Sequence, residues 1–93
     1  MPTWDENKRL SNLAKHGVDF RDLAGLGWSE AVISEDRRKN YGEQRWIAAA
    51  PLGDRLHVVV YVQRDGDVRY ISARKANSRE VANYEAQTSS SDS

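Results

Sequence analysis

The 93-residue sequence contains no cysteine, only two prolines and no long hydrophobic run. Without cysteine the chain can form neither a disulfide nor a thiolate zinc site, so a reducing, cytoplasmic location is expected. Its longest apolar stretch, from Val58 to Val62, is far too short to span a bilayer, and no basic-then-apolar signal segment opens the sequence. These absences argue against a membrane partner and against a disulfide-stapled secreted scaffold.

A net charge is also lacking, because 14 basic side chains balance 14 acidic ones. The balance is uneven along the chain. Residues 1–36 carry four basic and seven acidic side chains, residues 37–79 carry ten and four, and the remainder carries three acidic ones. Most of the basic residues are arginine, which binds phosphate through a planar fork of donors. The positive middle is compatible with nucleic acid, although an unevenly charged, solvated surface explains the same pattern.

The overall composition, 39% apolar and 30% charged, is typical of one small globular domain. We expect this single domain to cover residues 1–87. Residues 88–93 are rich in serine and are predicted to form a disordered tail. The sequence contains neither an internal repeat nor a glycine-rich phosphate loop.

Capping residues near the N-terminus predict two consecutive short helices. Asp5 is a suitable N-cap for the first helix, and Gly17 is a suitable left-handed residue at its C-terminal end. Asp19 follows directly as the cap of a second helix, which ends near Gly25. Residues 1–4 could add a short edge strand before the first helix.

The rest of the sequence predicts a meander of strands followed by a helix. Residues 43–50, 55–63 and 67–75 have strand-like patterns and are joined by the turn pairs Gly53-Asp54 and Asp65-Gly66. Residues 31–33 are predicted to form a further short strand. A capping box of Asn77 and Glu80 opens a final helix through about Gln87. We therefore predict an α+β fold in which two N-terminal helices pack on a mainly antiparallel β-meander, with a C-terminal helix.

An uninterrupted hairpin register predicts what each face of this sheet carries. It places Tyr61 between Trp46 and Tyr70, so that these rings form an aromatic ladder on one face, with Arg74 at its end. The opposite face is predicted to receive the N-terminal helices and carries small and aliphatic residues: Ile47, Ala49, Val58, Val60, Ile71 and Ala73.

The aromatic ladder allows three interpretations. Rings flanked by arginine suit single-stranded RNA, since bases stack on them for about 1–3 kcal/mol each. The ladder could equally be a second core beneath the C-terminal helix, through Val81 and Tyr84, because adjacent exposed aromatics are unfavourable in water. A partner protein could also cover it.

Several short motifs follow one another in a fixed order along the chain. They are Trp4-Asp5-x-x-Lys8, Asn12, Lys15-His16-Gly17-Val18-x-Phe20, Gly42-Glu43-x-Arg45, Val58-Val59-Val60-Tyr61 with Arg64, and Arg69-x-Ile71-Ser72-Ala73-Arg74-Lys75-Ala76 with Glu80. In this combination the sequence resembles the BrnT-type toxin family of bacterial type II toxin–antitoxin systems, over about residues 4–85.

The resemblance implies an RNA-cleaving toxin with a compact fold similar to RelE-type ribonucleases. It also implies a cognate, BrnA-like antitoxin with a ribbon-helix-helix domain, through which alone the toxin would reach operator DNA. No cofactor is expected. A competing interpretation is a non-enzymatic regulator or interaction module that uses the same basic sheet face to hold an acidic partner.

Four residues are the candidates for catalysis: Arg74, His16, Lys15 and Arg45. No His, Asp and Glu cluster has metal-ligand spacing, so we expect a metal-free reaction that needs a base, an acid and cations for the phosphate. Histidine is the side chain best suited to proton transfer at physiological pH, so His16 could be the base or the acid, with Lys15 as a cation beside it. Both could instead simply complement the dipole at the end of the first helix.

The arginines have equally plain alternatives. Arg74 is the first choice for stabilising the phosphate, or it forms a salt bridge to Glu80 or Glu85. Arg45 binds phosphate or pairs with Glu43. The candidate RNA-binding residues around the sheet are Tyr61, Arg64, Arg69, Tyr70 and Lys75.

Overall fold

A computed structural model describes residues 1–89 as a five-stranded sheet with helical segments on both sides. The strands are β1 (Thr3–Trp4), β2 (Val32–Asp36), β3 (Arg45–Leu52), β4 (Arg55–Arg64) and β5 (Asp67–Lys75), and the α-helices are α1 (Glu6–His16) and α2 (Ser78–Ser89). The sheet order is β1-β5-β4-β3-β2, in which only β1 and β5 pair in parallel. The predicted α+β architecture and meander are confirmed.

The C-terminal boundary differs slightly from the prediction. Helix α2 continues to Ser89, so that Thr88 and Ser89 are helical rather than part of a disordered tail. The rest of the predicted tail, residues 90–93, lies outside the described residues. Within residues 1–89, no helix has both the length and the apolar character needed to cross a bilayer.

Helix α1 begins and ends at the predicted caps. The Asp5 carboxylate accepts hydrogen bonds from the backbone N–H groups of Asn7 and Lys8, at 2.8 and 3.3 Å. Gly17 adopts a left-handed conformation (φ 72°) and donates its N–H to the Leu13 carbonyl. Because these interactions are local, the sequence alone was sufficient to predict them.

The predicted second N-terminal helix is wrong in type. Residues Phe20–Gly25 form a 3₁₀ helix, followed by a shorter one at Trp28–Glu30. Asp19 does cap the first of these, since its carboxylate accepts from the Arg21 N–H at 2.9 Å. Glycines at both 25 and 27 leave too short a segment for a stable α-helix, and the segment is held by the burial of Phe20 and Leu23 instead.

Asp19 also joins the first 3₁₀ helix to α1 through a charged network. Its carboxylate accepts from Arg21 at 2.8 Å and from the buried Arg9 at 3.0 Å, and Arg9 bonds Glu6 in turn. The hydrogen bond from the Arg21 side chain, with smaller contributions from its backbone N–H and from the charge of Arg9, lowers the pKa of Asp19 to about 2.

This lowered pKa predicts an acid-sensitive contribution to stability. A carboxyl whose pKa is lower in the folded state stabilises the fold above its unfolded-state pKa, near 3.8, and loses that contribution as the pH falls toward 2. We expect D19N to have a lower melting temperature than the wild type at pH 6. The difference between the two melting temperatures should disappear between pH 4 and pH 2, as measured by thermal unfolding at a series of pH values. A difference that stays constant over this range would contradict the prediction.

Both predicted hairpin turns are present. Asp65 and Gly66 have positive φ angles (53° and 83°), as a two-residue primed turn requires, and Gly53 has φ 64°. Strand β3 pairs with β4 in the expected register, with Trp46 opposite Tyr61. Tyr61 is opposite Tyr70, also as expected.

The predicted register fails immediately beyond that tyrosine pair. Val60 pairs with Ser72 and Val58 with Arg74, so Ile71 is the extra residue of a β-bulge. Beyond the tyrosine pair the prediction is therefore wrong, because the uninterrupted register would have paired Val60 with Ile71, Val58 with Ala73, Val59 with Ser72 and His57 with Arg74. The bulge moves Arg74 to the same face as Val58 and brings Ala73 opposite Val59.

The two faces of the sheet can now be named. The aromatic face carries Trp46, Ala48, Ala50, Val59, Tyr61, Tyr70 and Ala73, whereas the aliphatic face carries Ile47, Ala49, Val58, Val60 and Arg74. The N-terminal segments pack on the aromatic face and form the main core there, which corrects the prediction that they cover the aliphatic face.

Aromatic contacts explain this choice of face. The Trp4 ring stacks on Tyr70 with centroids 6.1 Å apart, Phe20 lies 5.9 Å from Tyr70, and Trp28 meets Tyr61 edge-on at 5.2 Å. Large rings bury more area than the small residues on the other face, so the first helical segments cover them. The ladder is thus a core, but one covered by the N-terminus rather than by α2.

Helix α2 lies instead beside the aliphatic face. Its predicted capping box is confirmed, because Glu80 and Asn77 exchange backbone-to-side-chain hydrogen bonds of 2.9 Å in both directions. The Tyr84 hydroxyl donates to the Glu30 carbonyl at 2.7 Å. A small cavity separates the helix from Val32, Ile47, Ala49 and Val58, and none of the residues of α2 is fully buried.

Candidate functional site

Helix α1 runs beside the part of β5 that β1 does not cover. Strand β1 pairs with β5 only at Arg69 and Tyr70, which leaves the backbone of the following residues without a strand partner on that side. The buried Asn12 takes this place. Its side-chain amide donates to the Ala73 carbonyl at 2.8 Å and to the Val18 carbonyl at 2.9 Å, and its oxygen accepts from the Ala73 N–H at 3.0 Å.

The α1–β5 groove forms along this junction. It measures about 180 Å³ and is lined by Lys8, Ser11, Asn12, Lys15 and His16 from α1 and by Ile71 and Ser72 from β5. Positions 8, 11, 12 and 15 share one helix face because they recur at three- and four-residue spacing. Within the described chain no acidic side chain lines the groove, so its two lysines make it positive.

The structure brings two of the four candidate catalytic residues into this groove. Lys15 is exposed, and His16, the last residue of α1, is half-buried. Lys8 joins them from the other end of the helix face. Lys8 belongs to the first family motif but is not among the predicted site residues. Its seven-residue separation from Lys15 places both lysines on one helix face and could have indicated its role.

Arg74 lies outside the groove, two residues further along β5 than Ser72, which is about 7 Å of strand. Its guanidinium forms a two-pronged ion pair with Glu80, in which both N–O distances are 2.7 Å. This hydrogen-bonded pair lowers the pKa of Glu80 to about 2 and raises the pKa of Arg74. The predicted alternative of a Glu80 salt bridge is therefore present, and Arg74 remains 39% exposed in its side chain.

Arg45, the fourth candidate, lies on neither of these sites. Its guanidinium carbon is 4.0 Å from the centre of the Tyr41 ring. The predicted alternative of an Arg45–Glu43 pair is wrong, since Glu43 binds Arg64 at 3.0 and 3.1 Å. Four candidates from the sequence thus occupy three separate places.

The candidate RNA-binding residues separate in the same way. Tyr61 and Tyr70 retain only 4% and 2% exposure in the core, and burial raises the pKa of both hydroxyls. The prediction that their rings lie open for stacking on bases is wrong. Arg64 is exposed but paired with Glu43, Arg69 is half-buried beside β1, and Lys75 is exposed at the end of β5.

A further basic cluster was missed in the sequence. The segment between β2 and β3 reads Arg37-Arg38-Lys39-Asn40-Tyr41, a run of cations followed by an aromatic ring. Its basic-aromatic composition was the signal available.

No metal centre is apparent in the described part of the chain. Among residues 1–89, no three His, Asp or Glu side chains converge at a point where an ion could bind. The polar groups that converge in the α1–β5 groove are two amines, an imidazole, two hydroxyls and an amide, which suit an anionic ligand rather than a cation.

Comparisons with known proteins agree on one family. The family model described as ribonuclease toxin, BrnT, of type II toxin–antitoxin systems matches residues 4–80. The crystal structure of the Brucella abortus ribonuclease toxin BrnT has a similar fold, with a TM-score of 0.67 and 27% sequence identity over 83% of this chain and 97% of that one. No curated protein sequence matches the chain significantly. Since the family match spans α1, the whole sheet and the start of α2, the chain belongs to the BrnT family of ribonuclease toxins of type II toxin–antitoxin systems.

Proposed function

We propose that this chain is an endoribonuclease that cleaves RNA without a metal ion and binds the scissile phosphate between the α1–β5 groove and Arg74. The observation that carries the proposal is the convergence of Lys8, Lys15 and His16, which are distant in sequence from β5, on Ser72 of that strand. Arg74 follows within reach of a single nucleotide. The family match supports an enzyme over the competing regulatory module.

These side chains can supply what metal-free cleavage requires. The 2′-oxygen of the substrate attacks the adjacent phosphorus, the bond from phosphorus to the 5′-oxygen breaks, and a 2′,3′-cyclic phosphate and a 5′-hydroxyl result. In our proposal His16 takes the proton from the 2′-hydroxyl, and a solvent water gives a proton to the leaving 5′-oxygen. Arg74 with the two lysines stabilises the added negative charge on the phosphate. Arginine suits the phosphate because its donors match two oxygens at once.

We further propose that a ribbon-helix-helix antitoxin neutralises the enzyme in the cytoplasm and carries it to operator DNA. Membership of a type II toxin–antitoxin family supports an antitoxin partner. The DNA-binding fold of that partner and the likeness to RelE-type ribonucleases remain predictions of the sequence resemblance. Arg45, Arg64, Arg69 and Lys75 remain candidates for contacts with RNA outside the cleavage point.

The first test uses the purified intact chain and a labelled single-stranded RNA in buffer containing EDTA. We expect cleavage, with 5′-hydroxyl and cyclic-phosphate ends identified by mass spectrometry. Loss of activity on chelation, restored by a divalent ion, would overturn the metal-free step. Intact RNA under several buffer and salt conditions would overturn the enzymatic proposal itself.

A second test addresses His16. Its replacement by alanine removes the proposed base and is expected to lower kcat about 10²-fold, the usual contribution of a positioned general base. An unchanged kcat in H16A would assign the residue to the end of the helix alone. Replacement of the exposed Ser11 by alanine, in the same groove, is a matched control for packing.

A further inference from the structure

We infer that Arg38, Tyr41 and Arg45 form a second RNA-backbone site, which binds a phosphate of the substrate that is not cleaved. The inference rests on the proposed ribonuclease function and adds a site next to β2, at the edge of the sheet opposite to β1 and the groove. Three features carry it. Arg38 is held by a buried carboxylate, Arg45 has no acidic partner among residues 1–89, and the charge of Arg38 acts on Arg74.

The first feature is the Arg38–Asp36 pair. The Asp36 side chain is completely buried, yet it binds a guanidinium that is 68% exposed. Nε and Nη2 of Arg38 donate to the two carboxylate oxygens at 2.8 and 2.7 Å, and the Arg38 backbone N–H donates at 3.2 Å. The side-chain hydrogen bond holds the pKa of Asp36 well below its usual range.

A buried carboxylate that binds an exposed cation fixes the orientation of that cation. Burying Asp36 is unfavourable unless its oxygens are bonded, so the pair persists in one geometry. One edge of the Arg38 fork is occupied by Asp36. Tyr41 also interacts with Arg38. The Arg38 side chain nevertheless stays 68% exposed, so its outer donors can reach a phosphate oxygen.

The second feature is Arg45, which has no acidic partner among residues 1–89. Asp36 is opposite Arg45 in the sheet register but binds Arg38, and Glu43 binds Arg64. Its Nε is buried without a hydrogen-bond partner in the described structure, and the guanidinium rests on Tyr41 instead. Lys39 lies 5.2 Å from the same ring. Packing on an aromatic ring therefore positions a positive charge that no carboxylate neutralises.

The third feature links this cluster to Arg74. The hydrogen-bonded Glu80 raises the pKa of Arg74, and the positive charge of Arg38 acts against this by a smaller amount. Two guanidiniums that are each oriented by a carboxylate match a ligand that carries one anionic group per unit along a flexible chain. Single-stranded RNA has this character, and its bases can also stack on tyrosine and guanidinium planes. An acidic protein segment is the competing occupant.

The test measures binding of a 2′-O-methyl oligonucleotide, which has no 2′-hydroxyl to react, as a function of salt. Each phosphate contact to a single strand contributes about 0.7 to the slope of log affinity against log salt. We expect R38A to reduce the slope by about 0.7 and to weaken binding about fivefold at 0.1 M salt. R37A is the matched control, because Arg37 is a neighbouring exposed arginine that pairs with Glu35.

The variants also guard against a trivial loss of folding. R38A leaves the buried Asp36 carboxylate without its partner, which by itself destabilises the fold. The double variant D36N/R38A removes that charge and is measured beside R38A. Thermal unfolding then shows whether each variant is folded. In cleavage assays, we expect KM for a decamer to rise in D36N/R38A while kcat is unchanged. A dinucleotide is too short to reach both sites, so D36N/R38A should cleave it with the same kcat and KM as the wild type.

Two failures are distinguishable. If wild type, R37A and D36N/R38A have equal salt slopes for RNA, the second site is overturned even when RNA is cleaved. If D36N/R38A keeps the wild-type RNA slope but no longer binds an acidic peptide, the cluster belongs to a protein partner. Salt-dependent binding that requires Arg38, without any cleavage of unmodified RNA, supports the second site and overturns the proposed function instead.

Discussion

Replacement of Asn12 by aspartate is expected to destabilise the protein by about 3 kcal/mol or more and to lower its melting temperature by roughly 15 °C. The side-chain amide of Asn12 donates to two carbonyls, those of Val18 and Ala73, at 2.9 and 2.8 Å. A carboxylate at this position has no donor, so its oxygen would face two carbonyl oxygens in a buried site. The loss is large relative to the 5–15 kcal/mol by which such domains are usually stable.

The consequence extends from stability to function, because Asn12 joins α1 to β5 and so determines the shape of the α1–β5 groove. Asn7 provides a matched control, since it lies on the same helix, is exposed, and allows the same substitution. Chemical and thermal unfolding of N12D and N7D measure the difference. If N12D melts within two or three degrees of N7D, Asn12 is not the tie between helix and sheet.

The second large effect is expected from removing Arg74. In our proposal its guanidinium stabilises the charged phosphate, so R74A should lower kcat/KM about 10²- to 10³-fold, as for the loss of one preorganised donor. Stability should change by about 1 kcal/mol or less, because the Arg74–Glu80 pair is partly exposed to solvent. Arg79, an exposed arginine in the first turn of α2, is the control for a general loss of positive charge.

Glu80 separates catalysis by Arg74 from a purely structural role. If Arg74 serves only to hold α2, E80Q breaks the same ion pair and should reduce activity as much as R74A does. If Arg74 binds phosphate, E80Q leaves the guanidinium in place and should retain most of the activity. Steady-state kinetics of the two variants decide between these roles, and equal losses would contradict the proposal.

Local features of this fold were readable from the sequence. The caps at Asp5 and Gly17 and the turn at Asp65-Gly66 depend on residues within a few positions of one another. The same holds for the helix face that carries Lys8, Asn12 and Lys15. Such features need no knowledge of the rest of the chain. The caps and the turn are present as predicted, and the helix face follows from residue spacing although it was not predicted.

Features that depend on distant residues were not readable. The bulge at Ile71 reverses the face to which Arg74 belongs, and no residue near it in sequence marks the interruption. Likewise, the faces of the sheet were assigned by their aliphatic content, while Trp4, Phe20 and Trp28 select the aromatic face for the core. The tyrosines proposed to stack on RNA became core residues for that reason.

For this protein, neighbouring residues were enough to predict α1, the meander with its turns, the capping box of α2, the family motifs and the positive middle segment. Folding was needed to bring Lys8, Lys15 and His16 together with Ser72, and to select Glu80 as the partner of Arg74. Each of these meetings depends on strand register and on which face the first helical segments cover. Both are outcomes of packing between residues far apart in the chain.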